Sequence, residues 1–326
     1  MVMDQFVFTE IVPSLDPYSL RRSICDAFSG SHGVDDFRVE YLLSEILSKY
    51  SDGFTRRDPL VAAALERLEL SERMCGAAND LGFTPYEVDE IRFRNIKRRV
   101  HKQSYLSRYM EQVLFYARRR CAEVLGTEMY AWIKDARLTN GASLAHKRKD
   151  AYPYAKLSGD FTVTPAAEPY LRAFVSLLNP RIFSRAKIKL SAWNRVETVP
   201  KNDKTDRVIC IEPEGNILLQ KGVGTWLKRR LKKFGVDLYD QSRNRRMARQ
   251  DRLATVDLSM ASDTLSIRIV HEVLPPAWFK LLDDLRSHYG FMPDGSVRRW
   301  KKFSSMGNGF TFELESLVFH SLLFSF

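Results

Sequence analysis

The chain lacks any stretch of about 18 uninterrupted apolar residues, which argues against a transmembrane helix. Its first ten residues carry two acids, Asp4 and Glu10, and no basic segment, so they do not read as a secretory signal. Cysteine is scarce. Cys25, Cys75, Cys121 and Cys210 stand far apart and form no Cys-x-x-Cys, which argues against a zinc ribbon or a dense disulfide scaffold and suits a reducing cytosol. No internal repeat is visible. What remains is a globular composition, 44 % apolar and 28 % charged. At 326 residues there is room for two or three lobes and a sizeable core.

Positive charge is unevenly placed within a formal net of +11. Residues 92–120 hold ten Lys or Arg and one acid; residues 228–252 hold ten Lys or Arg and three acids. The rest of the chain is net negative. Concentrated Lys and Arg are the electrostatic footprint of a polyphosphate partner, although one such run is equally a solvated helix face. Arg118, Arg119, Arg120, Lys228, Arg229 and Arg230 are the candidate nucleic-acid contacts. Tyr105 and Tyr109 thread the first run at helical spacing, which suits packing better than base stacking.

The periodicity predicts a largely helical first 135 residues, including 37–50 and 60–68. Thr84-Pro85-Tyr86-Glu87 reads as a helix start that carries the first basic run. Residues 139–165, rich in Gly, Ser, Asn, Pro and Lys, read as a loop or lobe boundary. A helix is expected over 168–178, a short strand over 208–211, and a helix over 215–234 that turns basic. An apolar run over 253–258 reads as a strand. A helix follows from Pro275-Pro276 to Leu285, then a turn at 293–296 between two strands, and an apolar helix from Thr311 to the last residue. The expected class is α+β, with strands concentrated in the second half.

Three stretches can carry chemistry. The run 253–263 delivers Asp257 at a strand end and Asp263 six residues on; a carboxylate on a rigid strand end suits a divalent metal, and a helix cap is the plainer role. Gly307-Asn308-Gly309 lets backbone approach a ligand closely, or makes an ordinary tight turn. Lys201, Lys204 and Arg207 beside a strand suit a triphosphate, or form a charged surface loop.

The order of these stretches carries a resemblance. Residues 193–207 (WNRVETVPKNDKTDR), 211–216 (IEPEGN), 253–263 (LATVDLSMASD), 294–296 (DGS) and 305–316 (SMGNGFTFELES) resemble the replicase β chain of single-stranded RNA coliphages. The likeness is dense from about residue 170 to 316 and looser before that. It implies a right-hand polymerase fold of fingers, palm and thumb, and RNA-directed RNA synthesis from nucleoside triphosphates. It implies that Asp257 is the first metal-binding carboxylate, that Asp263 senses the ribose, and that Mg²⁺ serves as cofactor, two ions in the complete enzyme. It implies that Ser305, Gly307, Asn308 and Thr311 support template and incoming nucleotide, and that Lys201, Lys204 and Arg207 hold the triphosphate. Implied partners are the RNA template, host elongation factors Tu and Ts and a ribosomal small-subunit protein, in the bacterial host cytoplasm and with no membrane.

Departures from the wider polymerase pattern are the five residues between Asp257 and Asp263 and a glutamate, Glu315, where many such enzymes carry Asn. The chain has no Gly-Asp-Asp; its one Gly-Asp is Gly159-Asp160. The expectation is therefore a fingers region and part of a palm, ending before the Gly-Asp-Asp motif and the thumb and inactive alone. The expected regions are 1–155 (helical), 156–250 (fingers) and 251–326 (partial palm). The rival readings are a non-catalytic RNA-binding protein or fragment and a reverse-transcriptase-like palm; against the latter, residues 259–262 are small and carry no bulky gate.

Overall fold

A computed structural model describes residues 58–80, 104–178, 187–201, 205–240, 242–250, 252, 258 and 260–324. The chain divides into two compact units, residues 1–64 with 198–207, and residues 65–197 with 208–326. In the first unit the described residues are few. The Lys201 amide donates to the Thr205 carbonyl at 3.1 Å, closing a short loop between two strand ends.

The second unit is built on α5 (Glu214–Lys233). Ile217, Leu218, Leu219, Val223, Trp226, Leu227 and Leu231 are inside, and so are the polar Glu214, Asn216 and Gln220, each hydrogen-bonded there. Arg229, Lys232 and Lys233, at the basic end of α5, are exposed. Around it pack α2 (Ser104–Leu125), α4 (Glu168–Leu178) and α9 (Thr311–Leu323). From α2 the buried set Val113, Leu114, Ala117, Cys121, Val124 and Leu125 recurs every three or four residues, the spacing of one helix stripe. From α8 (Pro276–Leu285), which follows α7 (Ile267–Val273), Trp278 stacks on Trp226 with ring centroids 4.7 Å apart.

Two small sheets flank this core. β1 (Asp160–Val163), after the short α3 (Pro153–Ser158), pairs in parallel with β2 (Lys187–Leu190). A four-stranded sheet runs in the order β4 (Asp206–Ile211), β3 (Trp193–Pro200), β5 (Tyr289–Phe291), β6 (Val297–Arg299). β3 and β5 are parallel, with Trp193 opposite Tyr289; β5 and β6 are antiparallel, with Tyr289 opposite Arg299. One face of this sheet packs on α1 (Asp58–Asp80) through a second core of Leu68, Val196, Cys210, Met292 and Trp300. A six-residue α6 (Ser242–Met247) completes the described elements.

The content is α+β, as expected. The helices expected at 168–178, 215–234 and 276–285, the strand at 208–211 and the 293–296 turn are present. The stretch 139–165, read as a loop or lobe boundary, also contains α3 and β1: most of its polar residues are exposed, but Lys156 is buried with its ammonium on the Thr139 and Gly141 carbonyls at 2.7 and 2.8 Å, and Thr164 is held by Asn216. The principal core draws on Leu114, Phe161, Leu219 and Leu314 alike, so one packing unit takes in parts of all three expected regions. The helix start at residue 84, the helix over 37–50 and the strand over 253–257 lie outside the described residues. Among the described residues no helix is long and apolar enough to cross a membrane.

Candidate nucleotide and RNA site

The site grows from a tight turn and a loop on neighbouring backbone. Met260 adopts φ +55°, the only non-glycine residue in the left-handed region among those described. Backbone held there stores strain, and the surroundings must over-determine it. Here the Met260 carbonyl accepts from the Asp263 amide (2.9 Å) and the Thr264 amide (3.0 Å), which starts a 3₁₀ turn over Ala261–Thr264. That turn carries Asp263.

Asp263 is fixed by a lysine that the sequence did not single out. Lys302 Nζ donates to Asp263 Oδ1 at 2.7 Å, and Lys302 is only 1 % exposed. Burial works against the ammonium, but the charge and hydrogen bond of Asp263, helped by the charge of Glu72, outweigh it and hold its pKa above the ordinary lysine value. Its ammonium also lies 5.0 Å from the centre of the Trp300 ring. The second half of α1 clamps the same segment. Glu72 accepts from the Lys301 amide at 2.7 Å, and Asn79 Nδ2 donates to the Lys301 carbonyl at 2.9 Å. Glu315, on α9, is half-buried, and burial together with Asp263 pushes its carboxyl up.

Next to it lies the glycine loop. Thr311 Oγ1 and the Asn308 amide both donate to the Ser305 carbonyl, at 2.8 and 3.1 Å. Asn308 Oδ1 accepts from the Phe310 amide at 3.0 Å. Ser305, Asn308 and Thr311 are buried, so their side chains build the loop, while Gly307 alone is exposed at its tip. The loop is pinned to β4, where the Cys210 amide donates to the Met306 carbonyl at 2.7 Å, and to α5, where Gln220 Oε1 accepts from the Gly309 amide at 2.8 Å.

A buried polar hub supports this floor, built on Glu212, Glu214 and Asn216 of the 211–216 segment. Glu212 accepts from Asn194 (2.7 Å), Ser287 (2.8 Å) and Gln220 (3.3 Å). Burial pushes its carboxyl up, against those hydrogen bonds and the charge of Arg286. Glu214 accepts from the amides of Ala145 (2.8 Å) and Thr162 (3.0 Å); burial would raise its pKa, but its hydrogen bonds outweigh that and hold it low. Asn216 ties Thr164 to the end of α8 through the Leu285 carbonyl at 2.9 Å. The available signal was two acids and an amide in six residues that also contain Pro and Gly, a density that suits a folded polar knot.

Asp257 and Lys204 lie outside the described residues. Lys201 and Arg207 are exposed in the first unit. Of the six cations expected to hold RNA, five are built into joints. Arg118 ion-pairs with Glu272 and donates to its carbonyl at 2.6 Å. Arg120 lies over Phe324, 3.9 Å from the ring centre, and donates to His320 at 3.2 Å. Lys228 pairs with Glu313 at 3.1 Å, Arg229 with Asp135 at 2.8 Å, and Arg230 donates to the Val124 carbonyl at 2.5 Å. Arg119 is different: 70 % exposed, with Glu123 one turn on at 3.5 Å. Such an exposed pair is worth at most about 1 kcal/mol. Arg119→Ala should therefore leave thermal stability nearly unchanged and flatten the salt dependence of single-stranded RNA binding by about 0.7 in log–log slope. Arg118→Ala should instead lower the melting temperature, because Glu272 is buried and loses its bridge to α2. An unchanged slope for Arg119→Ala would mark that face of α2 as solvated only.

A strained turn presenting a fixed carboxylate stands beside a backbone-built glycine loop, and the comparisons give the class of the chain that carries them. The sequence profile of "RNA replicase, beta-chain" matches residues 10–326, and this chain belongs to that family of polymerase chains. It is 40 % identical over 319 residues to the RNA-directed RNA polymerase subunit beta of Enterobacteria phage SP, covering 95 % of this chain and 52 % of that one. It is 38 % identical over 294 residues to the corresponding subunit of Escherichia virus Qbeta (88 % and 47 %), and 37 % identical over 331 residues to the RNA-directed RNA polymerase beta chain of Escherichia phage MS2 (95 % and 56 %). The chain thus spans about half the length of the curated relatives it matches. The family is an enzyme family, as the resemblance implied.

Proposed function

We propose that this chain forms the fingers and part of the palm of a right-hand RNA-directed RNA polymerase, which copies a phage RNA genome in the bacterial host cytoplasm. The observation that carries the reading is the joining of Asp263 and the Gly307–Gly309 loop on one rigid floor, between Lys302, Glu212 and Gln220. In that role Asp263, with one oxygen on Lys302, turns its other oxygen to a ribose hydroxyl. The loop offers its exposed backbone at Gly307 to the template and incoming nucleotide. Lys201, Lys204 and Arg207 offset charge on the triphosphate. Elongation factors Tu and Ts and a ribosomal protein are the host partners this reading proposes.

Mg²⁺ is the cofactor of this reading, and the described residues test its fit. They contain no group of three His, Cys, Asp or Glu side chains that could hold a metal. Asp263 engages the Lys302 ammonium, which repels a cation, so it does not suit a primary ligand. In this reading the ligand role goes to Asp257, as the resemblance implies. In phosphoryl transfer such ions neutralise the attacking and leaving oxygens.

The test is RNA-templated primer extension by the full-length polymerase chain. Asp257→Asn should abolish incorporation and leave RNA affinity nearly intact, because phosphate contacts use other residues. The 326 residues alone, which hold no Gly-Asp-Asp, should give no extension. Normal extension by the Asp257→Asn chain would overturn the assignment and favour the rival reading of a non-catalytic RNA-binding role for these residues.

A further inference from the structure

The four-stranded sheet has one covered face and one open face, and the open face has no role in the site above. Alternation along β3 sends Asn194 and Val196 inward, 1 % and 2 % exposed, and Trp193 and Arg195 outward. Register then fixes the neighbours. Trp193 stands beside Tyr289 and Arg195 beside Phe291 in the parallel pair; Tyr289 stands beside Arg299 and Phe291 beside Val297 in the antiparallel pair. Trp193, Tyr289 and Phe291 are 38, 40 and 36 % exposed, and Arg299 is exposed as well. The Trp193 and Phe291 rings lie 6.1 Å apart and within 30° of parallel. Three large rings side by side on a solvent-facing sheet are not the usual surface of a soluble chain.

We infer that this face is a stacking platform for single-stranded RNA, with Trp193, Tyr289 and Phe291 taking bases and Arg299 taking phosphate. Charge decides the occupant. The rings are interleaved with two arginines, and the acid on the same face, Glu197, is engaged by Arg195 at 2.8 Å. A chain of net charge +11 attracts a polyanion at long range. Every base has a π-face, so rings on a sheet bind strands without needing a sequence, whereas a duplex keeps its bases stacked internally. Strands about 4.8 Å apart place neighbouring rings at a spacing that unstacked bases can follow. The inference adds an RNA contact to the polymerase reading and does not depend on its chemistry.

The experiment uses the full-length polymerase chain and a fluorescein-labelled ten-nucleotide oligouridylate, with a blunt RNA duplex as control, read by anisotropy. Stacking is worth about 1–3 kcal/mol per base, so Tyr289→Ala and Phe291→Ala should each weaken single-strand binding about five- to a hundredfold. Neither should change the salt slope or duplex affinity, and Tyr289→Phe should bind as the parent does. Arg299→Ala should flatten the slope by about 0.7. Should the alanine variants misfold by circular dichroism, Tyr289→Leu and Phe291→Leu, which keep apolar bulk without a ring, must weaken single-strand binding and leave duplex affinity unchanged, and parent-like affinity in both would overturn the platform. Parent-like affinity in a folded Tyr289→Ala, Phe291→Ala double variant would overturn the platform. So would equal losses on duplex, or unchanged RNA binding with loss of a host-protein contact, which would make the face a protein interface. If the platform fails while Asp257→Asn still abolishes incorporation, only this inference falls.

Discussion

Replacing Gly307 with Ala is expected to destabilise the protein by about 3–5 kcal/mol, from strain and overpacking together. Gly307 sits at φ +114°, where a side chain is strained whatever the space. A Cβ there would also fall 2.2 Å from the Cys210 carbonyl oxygen, an atom of the β4 backbone that cannot swing aside. The same segment is already committed by the bond from the Cys210 amide to Met306, so relief would cost that contact too. Gly295 supplies the control. It has φ +84° at the tip of the β5–β6 turn, with nothing within 4 Å of an added Cβ. Gly295→Ala should cost only the backbone share, about 1 kcal/mol. Urea denaturation of both variants, with m-values unchanged, separates strain from collision. Equal losses at the two positions would show that the loop can move off β4.

Lys302→Met should cost about 3–5 kcal/mol, the range for breaking a buried pair from one side. Methionine fills a similar volume, so the loss reports the charge rather than a cavity. Asp263→Asn should also destabilise, since it leaves a 1 %-exposed ammonium with a weaker partner. The double variant should recover part of the loss, a coupling that a double-mutant cycle measures directly. Because the folded pKa of Lys302 is raised above 10.5, its contribution is complete below that value and is lost only as pH rises through the folded one. The difference between parent and Lys302→Met should therefore stay constant through neutral pH and shrink only in strong alkali. A Lys302→Met loss below about 1 kcal/mol would mean that water, not Lys302, balances Asp263.

Much of the fold was legible because its signals are local. Glu168 to Leu178 carries its own apolar stripe and ends before a proline, and the described helix has those bounds. Pro293 to Ser296 is turn chemistry, with Asp294 accepting from the Ser296 amide at 2.9 Å. The site was legible only in part. Asp263 and the Gly307–Gly309 loop stood out by composition, but nothing in the sequence singled out Lys302, 39 residues downstream of Asp263. The pairing is a tertiary event with no periodicity to announce it. The same blindness worked in reverse for Arg118, Arg120 and Arg230. A charge run read along the chain looks like a phosphate-binding face, yet three dimensions bring Glu272, His320 and the Val124 carbonyl to those guanidinium groups. Sequence shows how many cations there are, and only packing shows which are already taken.

Trp300 donates to Asn194 at 3.2 Å, Asn194 to Glu212, and Gln220 links Glu212 to the Gly309 amide, so a single unbroken series runs from the sheet to the loop. Each member has its donors and acceptors consumed by the next. A change at any one strands the polarity of two others in a place that water does not reach. Drift at these positions is therefore a collective matter. A lineage that altered Asn194 would have to re-solve Glu212 and Gln220 in the same step, while the helix surfaces around them wander freely.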